Sequence, residues 1–231
     1  MLRRKLPFWP LSSLDWTTVL ISTRVKHFAS EDNMSLRLTT GFCSGMSLQS
    51  PPEGTRPTSG KVRTAVMNSL QLRIPGARIL DAFAGSGAVG IEALSRGAGS
   101  ATFIESGAEA LKALRINLAE VDRRSKTLPK APIIRIFPMN AVKALSQQNP
   151  QSFDILWFDP PYAKLPEQWP LLVPELIRIS ADDALLVVES DLESSEFLKQ
   201  WAEGADALWD LTKQKQYGKI AVSFFEKKEP A

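Results

Sequence analysis

The chain has 231 residues, 44% of them hydrophobic and 23% charged, with a net charge of +3, as expected of one large globular domain with room for an appendage. A single cysteine, Cys43, and a single histidine, His27, exclude a disulfide framework, a structural zinc site and histidine-centred acid–base catalysis. No apolar run approaches the roughly 18–20 residues of a membrane-spanning helix, so a reducing, cytoplasmic setting without metal or membrane is expected. The charge is uneven. Residues 1–76 carry ten Lys/Arg against four Asp/Glu, while 77–231 carry eighteen against twenty-one. A basic front on a mildly acidic body predicts that the N-terminal part meets phosphate.

Residues 1–33 do not conform to the rest of the chain. Their apolar stretch is broken by Pro7, Pro10, Ser12, Ser13 and Asp15, which makes a poor signal sequence. They are expected to be an N-terminal extension, with Met34 the functional start. Residues 34–55 alternate weakly and predict a short hairpin that contacts nucleic acid. From 56 to 231 the pattern is that of one α/β domain. A helix begins near Arg56-Pro57-Thr58, with Thr58 or Ser59 as cap and Val62, Ala65, Val66, Ser69 and Leu70 at helical spacing. Arg56, Lys61 and Arg63 crowd positive charge at its N-terminus, where the helix dipole favours an anion.

Strands are predicted at Ala77–Phe83, Ser100–Glu105, Pro132–Phe137, Phe153–Phe158, Asp183–Glu189, Ala207–Thr212 and Lys219–Phe225. Helices are predicted at Val89–Ser95, Ala108–Val121, from Asn140-Ala141, at Leu171–Ile179 and at Ser194–Ala202. Strands alternating with helices predict a parallel doubly wound sheet, and the closing strand pair predicts an antiparallel strand added at one edge. Asp122–Lys130 reads as a polar loop in which Arg123, Arg124, Lys126 and Lys130 are candidate phosphate contacts. Lys213, Lys215 and Lys219 form a second basic stretch whose role stays open.

Gly85-Ser86-Gly87-Ala88-Val89-Gly90 is G-x-G-x-x-G between a strand and a helix, and Glu105 follows twenty residues later at the next strand's end. Such a loop lets backbone approach a nucleoside cofactor, with the acid on its ribose. By itself it fits a nicotinamide dinucleotide. Asp81, four residues before the first glycine, opposes a pyrophosphate and favours a cationic sulfonium such as S-adenosylmethionine.

Asp159-Pro160-Pro161-Tyr162 ends the apolar run Phe153–Phe158. Its prolines stiffen the loop and remove two N–H donors, which predicts outward carbonyls without local partners. The carboxylate and carbonyls accept from an amine, and Tyr162 offers a face for stacking. The expected role is to hold a nucleobase amino group for attack on an electrophile.

Taken together, Arg56-Pro57-Thr58, Lys61-Val62-Arg63, Asn68, Leu80–Gly87, Glu92–Gly97 and Asp159–Tyr162 resemble the bacterial small-subunit ribosomal RNA guanine-N2 methyltransferases, the RsmD-like family. The resemblance covers about residues 34–226. It implies a class I S-adenosylmethionine-dependent methyltransferase domain over 56–231, Rossmann-like, with a seven-stranded sheet and an antiparallel last strand. It implies methyl transfer to N2 of a guanine in 16S ribosomal RNA (the guanine-966 type), free or in an assembling small subunit, by a monomer. By match, Asp81, Phe83, Ala84, Gly85, Ser86 and Gly87 would hold the methionine moiety, Glu105 the ribose, and Asn140 and Ala141 the adenine. Asp159, Pro160, Pro161 and Tyr162 would hold the guanine, and Arg56, Lys61 and Arg63 would meet cofactor or RNA. The family pattern reads Arg-Val-Arg-Glu where this chain has Lys61-Val62-Arg63-Thr64, and the N-terminal hairpin is degenerate between Thr39 and Ser50. The same loop chemistry serves adenine N6, so methylation of another RNA guanine or of DNA adenine stays open. The glycine motif alone leaves a nicotinamide-dependent oxidoreductase as a more distant reading.

Overall fold

The computed structural model describes residues 36–51, 60–204 and 208–228, all within one compact unit, Asn33–Ala231. Residues 1–33, Arg56, Pro57 and Thr58 lie outside the described residues.

The strands Ile155–Trp157 and Leu185–Val188 are apolar on both sides because both faces are covered. Neighbouring residues point to opposite faces. Ile79, Trp157 and Val187 join a core with Val66, Ile91 and Leu114, whereas Leu80, Phe158 and Val188 join a second core with Leu145, Leu172 and Leu198. The elements follow in chain order as β1 (Leu36–Arg37), β2 (Ser47–Leu48), α1 (Gly60–Ser69), β3 (Arg78–Asp81), α2 (Ala88–Ser95), β4 (Ser100–Ile104), α3 (Ala108–Ser125) and β5 (Ile133–Phe137). After them come α4 (Ala141–Leu145), β6 (Phe153–Phe158), α5 (Leu165–Ile179), β7 (Ser180–Asp191), α6 (Leu192–Ala202), β8 (Trp209–Tyr217) and β9 (Ile220–Lys227). The main sheet runs β5-β4-β3-β6-β7-β9-β8. Its first five strands are parallel, and β9 is antiparallel to both β7 and β8.

The antiparallel last strand that the closing pair predicts is present as β9, although not at the edge itself. β9 is inserted between β7 and β8, and β8 forms the edge. The reason lies in their side chains. β9 is buried over Ala221–Phe225 and suits an interior position, whereas Thr212–Gln216 of β8 is polar and suits an edge. A two-residue turn joins them, with Gly218 at φ +65° in the left-handed region that tight hairpins need.

Two helices run longer than predicted by four residues or more. α3 extends to Ser125, so Arg123 and Arg124 lie on a helix rather than in a loop. Both pair with Glu120, at 2.7 and 2.6 Å. α5 starts at Leu165, six residues before the expected Leu171. Pro166, Pro170 and Pro174 recur at intervals of four on its exposed side. The carbonyls that lack N–H partners there face solvent, which satisfies them.

The β1–β2 hairpin does form, and it clamps α2. Gly41 (φ +81°) lies against the last turn of α2, where a Cβ would fall 1.6 Å from the Ser95 carbonyl oxygen. The Phe42 N–H donates to that carbonyl (3.0 Å) and the Cys43 N–H to Ser95 Oγ (2.9 Å). Glu92, fully buried in α2, gathers the neighbouring elements. Its Oε1 accepts from Thr39 Oγ1 of the hairpin (3.1 Å) and from Arg96 Nε (2.9 Å), and its Oε2 lies 3.9 Å from Arg63 Nε of α1. Arg63 Nη2 also donates to the Arg37 carbonyl (3.0 Å), and Arg96 Nη1 to Asn68 Oδ1 (2.8 Å).

Removing the Glu92 carboxylate strands two guanidiniums, one of them 1% exposed. Glu92→Ala is expected to lower unfolding stability by about 3–5 kcal/mol, measured by urea denaturation. A loss below about 1 kcal/mol would show that the network contributes little.

Candidate active site

The C-terminal ends of the parallel strands converge on the glycine turn. The Ala82 N–H donates to the Trp157 carbonyl of β6 and the Ala84 N–H to the Ile104 carbonyl of β4, both at 3.0 Å. The turn is thereby stapled to both neighbours of β3. Its glycines have separate tasks. At Gly90 a Cβ would lie 2.3 Å from the Phe103 ring, and at Gly87 (φ +81°) 2.4 Å from Leu114 Cδ1. These two let α2 pack tightly on β4 and α3. Gly85 (φ +53°) has no atom within 4 Å of where a Cβ would stand, so its outer side is open to a ligand.

Asp81 is 1% exposed and its Oδ2 accepts from the Gly90 N–H at 3.0 Å. It acts as a distant cap on the first turn of α2. Burial above all, with Asp159 and Glu105 nearby, pushes its carboxyl up to about 7. A dinucleotide's pyrophosphate needs that same helix end, and here a carboxylate holds it. Glu105 sits as expected at the end of β4. Its Oε2 accepts from the Gly85 N–H (2.8 Å) and its Oε1 from the Ser106 and Gly107 N–H groups (2.8 and 2.6 Å). Asn140 caps α4 by accepting from the Lys143 N–H (2.9 Å), with Ala141 buried behind it. Ser86 and Phe83 complete the turn. The Ser86 carbonyl accepts from Asn117 Nδ2 (2.8 Å), and Phe83 meets Phe158 edge-on at 5.8 Å.

The Asp159–Tyr162 loop follows β6, two strands from Glu105. Asp159 is half-buried, Pro160 buried and Tyr162 half-buried. One expectation is corrected: the Pro161 carbonyl is not free, because it accepts from the Lys164 N–H (2.9 Å) in a short 3₁₀ turn over Tyr162–Lys164. Among the described residues, no N–H donates to the Pro160 carbonyl. Tyr162 is anchored from β7 and α6. Its hydroxyl faces Glu189 Oε1 at 3.5 Å and its carbonyl faces Ser194 Oγ at 3.4 Å. Burial first, then Asp159 and Glu189, raises the Tyr162 hydroxyl far above its ordinary range, so it stays protonated. Arg63 is corrected as well. It is enclosed and engaged by Glu92 and the Arg37 carbonyl, so it presents no charge to a nucleic acid. Lys61 is exposed at the start of α1.

Three residues that matter here have no role assigned from sequence: Glu189, Asn117 and Glu92. Glu92 is the one charged residue in the otherwise apolar helix Ala88–Ser95. Asn117 interrupts the apolar stripe Ala110, Ala113, Leu114, Leu118 and Val121, and ties the Ser86 turn to Gln49 of the hairpin (Gln49 N–H to Oδ1, 2.8 Å). Polar groups on buried faces were their signal. Asp81, Glu105, Asp159, Glu189 and Asp191 all stand at one edge of the sheet, an environment that suits a positively charged, phosphate-free ligand.

The raised Asp81 carboxyl carries a stability signature. Its folded value lies above its unfolded one, so its contribution is full below about pH 4 and is lost as pH rises toward 7, by up to about 1.4 kcal/mol per unit. Asp81→Asn keeps an acceptor for the Gly90 N–H and is expected to flatten that part of the stability–pH curve. Parallel curves for the two proteins between pH 4 and 7 would refute the assignment.

The chain matches the family model "Conserved hypothetical protein 95" over residues 36–226. It is 33% identical over 199 residues to ribosomal RNA small subunit methyltransferase D of Escherichia coli K12, covering 83% of this chain and 90% of that protein. Its counterpart of the same name in Haemophilus influenzae is 31% identical over 175 residues, covering 75% and 84%. The solved structure of yhhF from Escherichia coli superposes with a TM-score of 0.67 at 34% identity, covering 85% of this chain and 99% of that one. With a class I α/β sheet, a glycine turn and an Asp-Pro-Pro-Tyr loop within a match that spans most of these relatives' length, the chain belongs to the family of ribosomal RNA small subunit methyltransferase D.

Proposed function

We propose that this chain transfers a methyl group from S-adenosylmethionine to the exocyclic N2 of a guanine in 16S ribosomal RNA, of the guanine-966 type. The observation that carries the reading is the stiff Asp159–Tyr162 loop, with the Pro160 carbonyl unengaged by described residues, at the same sheet edge as the open side of Gly85. S-adenosylmethionine supplies an electrophilic methyl on a cationic sulfur. The residues present fit it. Gly85 leaves room for it, Glu105 and Asn140 stand at the ends of successive strands to meet its ribose and adenine, and the acidic edge favours its charge.

The chain's own work is orientation. The target base leaves its stack to reach the loop, and Tyr162 offers it a neutral aromatic face. The Asp159 carboxylate and the Pro160 carbonyl accept hydrogen bonds from the two amine N–H groups, which aims the nitrogen lone pair away from the loop, and the carboxylate stands where it can take the proton that nitrogen sheds once methylated. A guanine amine is weakly nucleophilic because its lone pair delocalises into the ring. Fixed acceptors stabilise the positive charge that grows on nitrogen during attack, and proximity supplies most of the remaining acceleration. The residues 34–55 and Lys61 belong, in this reading, to the RNA-facing side.

Asp159→Ala is expected to lower the methyl-transfer rate by roughly 10²–10³-fold, while cofactor affinity changes less than about threefold. The assay is labelled transfer to small subunits lacking the modification, followed by nucleoside analysis. Wild-type turnover in the variant would remove Asp159 from the mechanism. Labelled N6-methyladenine, or no transfer by the wild-type chain, would overturn the reading itself.

A further inference from the structure

We propose that the β8–β9 hairpin is the outer wall of the RNA-binding surface, with Lys213, Lys215 and Lys219 contacting phosphates and Tyr217 contacting an unstacked base or ribose. This rests on the RNA reading above and specifies the surface it uses.

Phe158 of β6 pairs with Val188 of β7, so Asp159, just past the end of β6, lies beside Glu189, while β7 continues to Asp191. Asp191 of β7 pairs with Ile220 of β9, and Ile220 with Tyr217 of β8. The turn Gly218-Lys219 therefore projects from the same edge of the sheet as the Asp159–Tyr162 loop, two strands beyond it.

Lys213, Lys215 and Tyr217 pair with Phe224, Val222 and Ile220. These partners belong to or pack against the core that holds Val62 and Val66 of α1. The lysines thus share the α1 side of the sheet. α1 ends at the opposite edge, where Arg73 reaches Glu226 and the Asp183 carbonyl, so its first turn, with Lys61, points back toward the catalytic edge.

Among the described residues, no carboxylate lies within ion-pairing distance of Lys213, Lys215 or Lys219. The Lys213 ammonium instead sits 5.8 Å above the Phe224 ring, with its stem over apolar surface. Lysines on an edge strand also discourage edge-to-edge pairing, but that need extends along the whole of β8. Here the unpaired lysines run from the middle of β8, at Lys213, to the turn at the catalytic end, and Asp210 at the other end is paired with Lys228 (3.5 Å).

The test compares the full chain with the triple variant K213Q/K215Q/K219Q, and with the control K199Q/K227Q/K228Q, which removes the same charge away from the catalytic ends of the strands. Binding to unmodified small subunits is measured over a salt series, together with methyl-transfer kinetics, cofactor affinity and melting temperature. The hairpin variant is expected to reduce the salt slope of log K by about 2–3, raise KM for the subunit at least tenfold, and leave kcat and cofactor affinity within about twofold. Replacing the same three lysines by arginine is expected to restore binding. The control is expected to keep the wild-type slope. An unchanged slope in the hairpin variant, or an equal loss in the control, overturns the proposal while wild-type transfer still upholds the function. A wild-type chain that methylates no RNA removes the function itself.

Discussion

A buried carboxylate at the start of a short helix sets the geometry of the site. Asp81 has almost no access to water and one backbone donor, the Gly90 N–H. That bond fixes where α2 begins relative to β3, and so fixes the path of the glycine turn between them. Gly87 and Gly90 then let α2 sit against Phe103 and Leu114 closely enough for the Gly85 N–H to reach Glu105 on the next strand. Burying a carboxylate with so little compensation is costly. The cost falls when a cation arrives, so the free site is already arranged for a positively charged ligand.

The other end of α2 is held by a second buried carboxylate. Glu92 joins the hairpin, α1 and α2 through Thr39, Arg63 and Arg96. One eight-residue helix therefore carries the glycine turn at its start and, along its flank and end, the hairpin and α1 that the proposed function assigns to the RNA-facing side. Rigid coupling of this kind suits a reaction whose acceleration comes from orientation, because a displacement of an ångström between donor and acceptor is enough to slow it.

Much of this was legible in the sequence. Alternating strands and helices, the glycine turn with Glu105, the Asn140 cap and the Asp-Pro-Pro-Tyr loop are local patterns, and local physics governs them. What escaped was set by tertiary partners. Arg63 reads as a surface cation until Glu92, twenty-nine positions later, is found beside it. Arg123 and Arg124 read as a basic loop because nothing in the polar stretch marks where α3 stops. The early start of α5 was hidden by three prolines whose shared exposure is visible only once the helix axis is known. The place of β9 inside the sheet depended on comparing the burial of two strands, which alternation within each did not reveal.

The distribution of arginine and lysine follows their chemistry. Arg73, Arg78, Arg96, Arg123, Arg124 and Arg178 are each ion-paired, and Arg78 grips both oxygens of Asp154 across the start of β3 and β6. A planar fork matches a fixed carboxylate, so arginine serves where the fold needs a static staple. Lys143, Lys164 and Lys219 have no carboxylate within ion-pairing distance among the described residues. They follow β5, β6 and β8 at the edge whose centre is acidic. A flexible ammonium can follow a phosphate that moves while a base swings into the site. In the proposed reading, acids at the centre and lysines at the rim sort the two ligands by charge, with the cationic cofactor drawn inward and the polyanion kept to the outside, where only its extruded base enters.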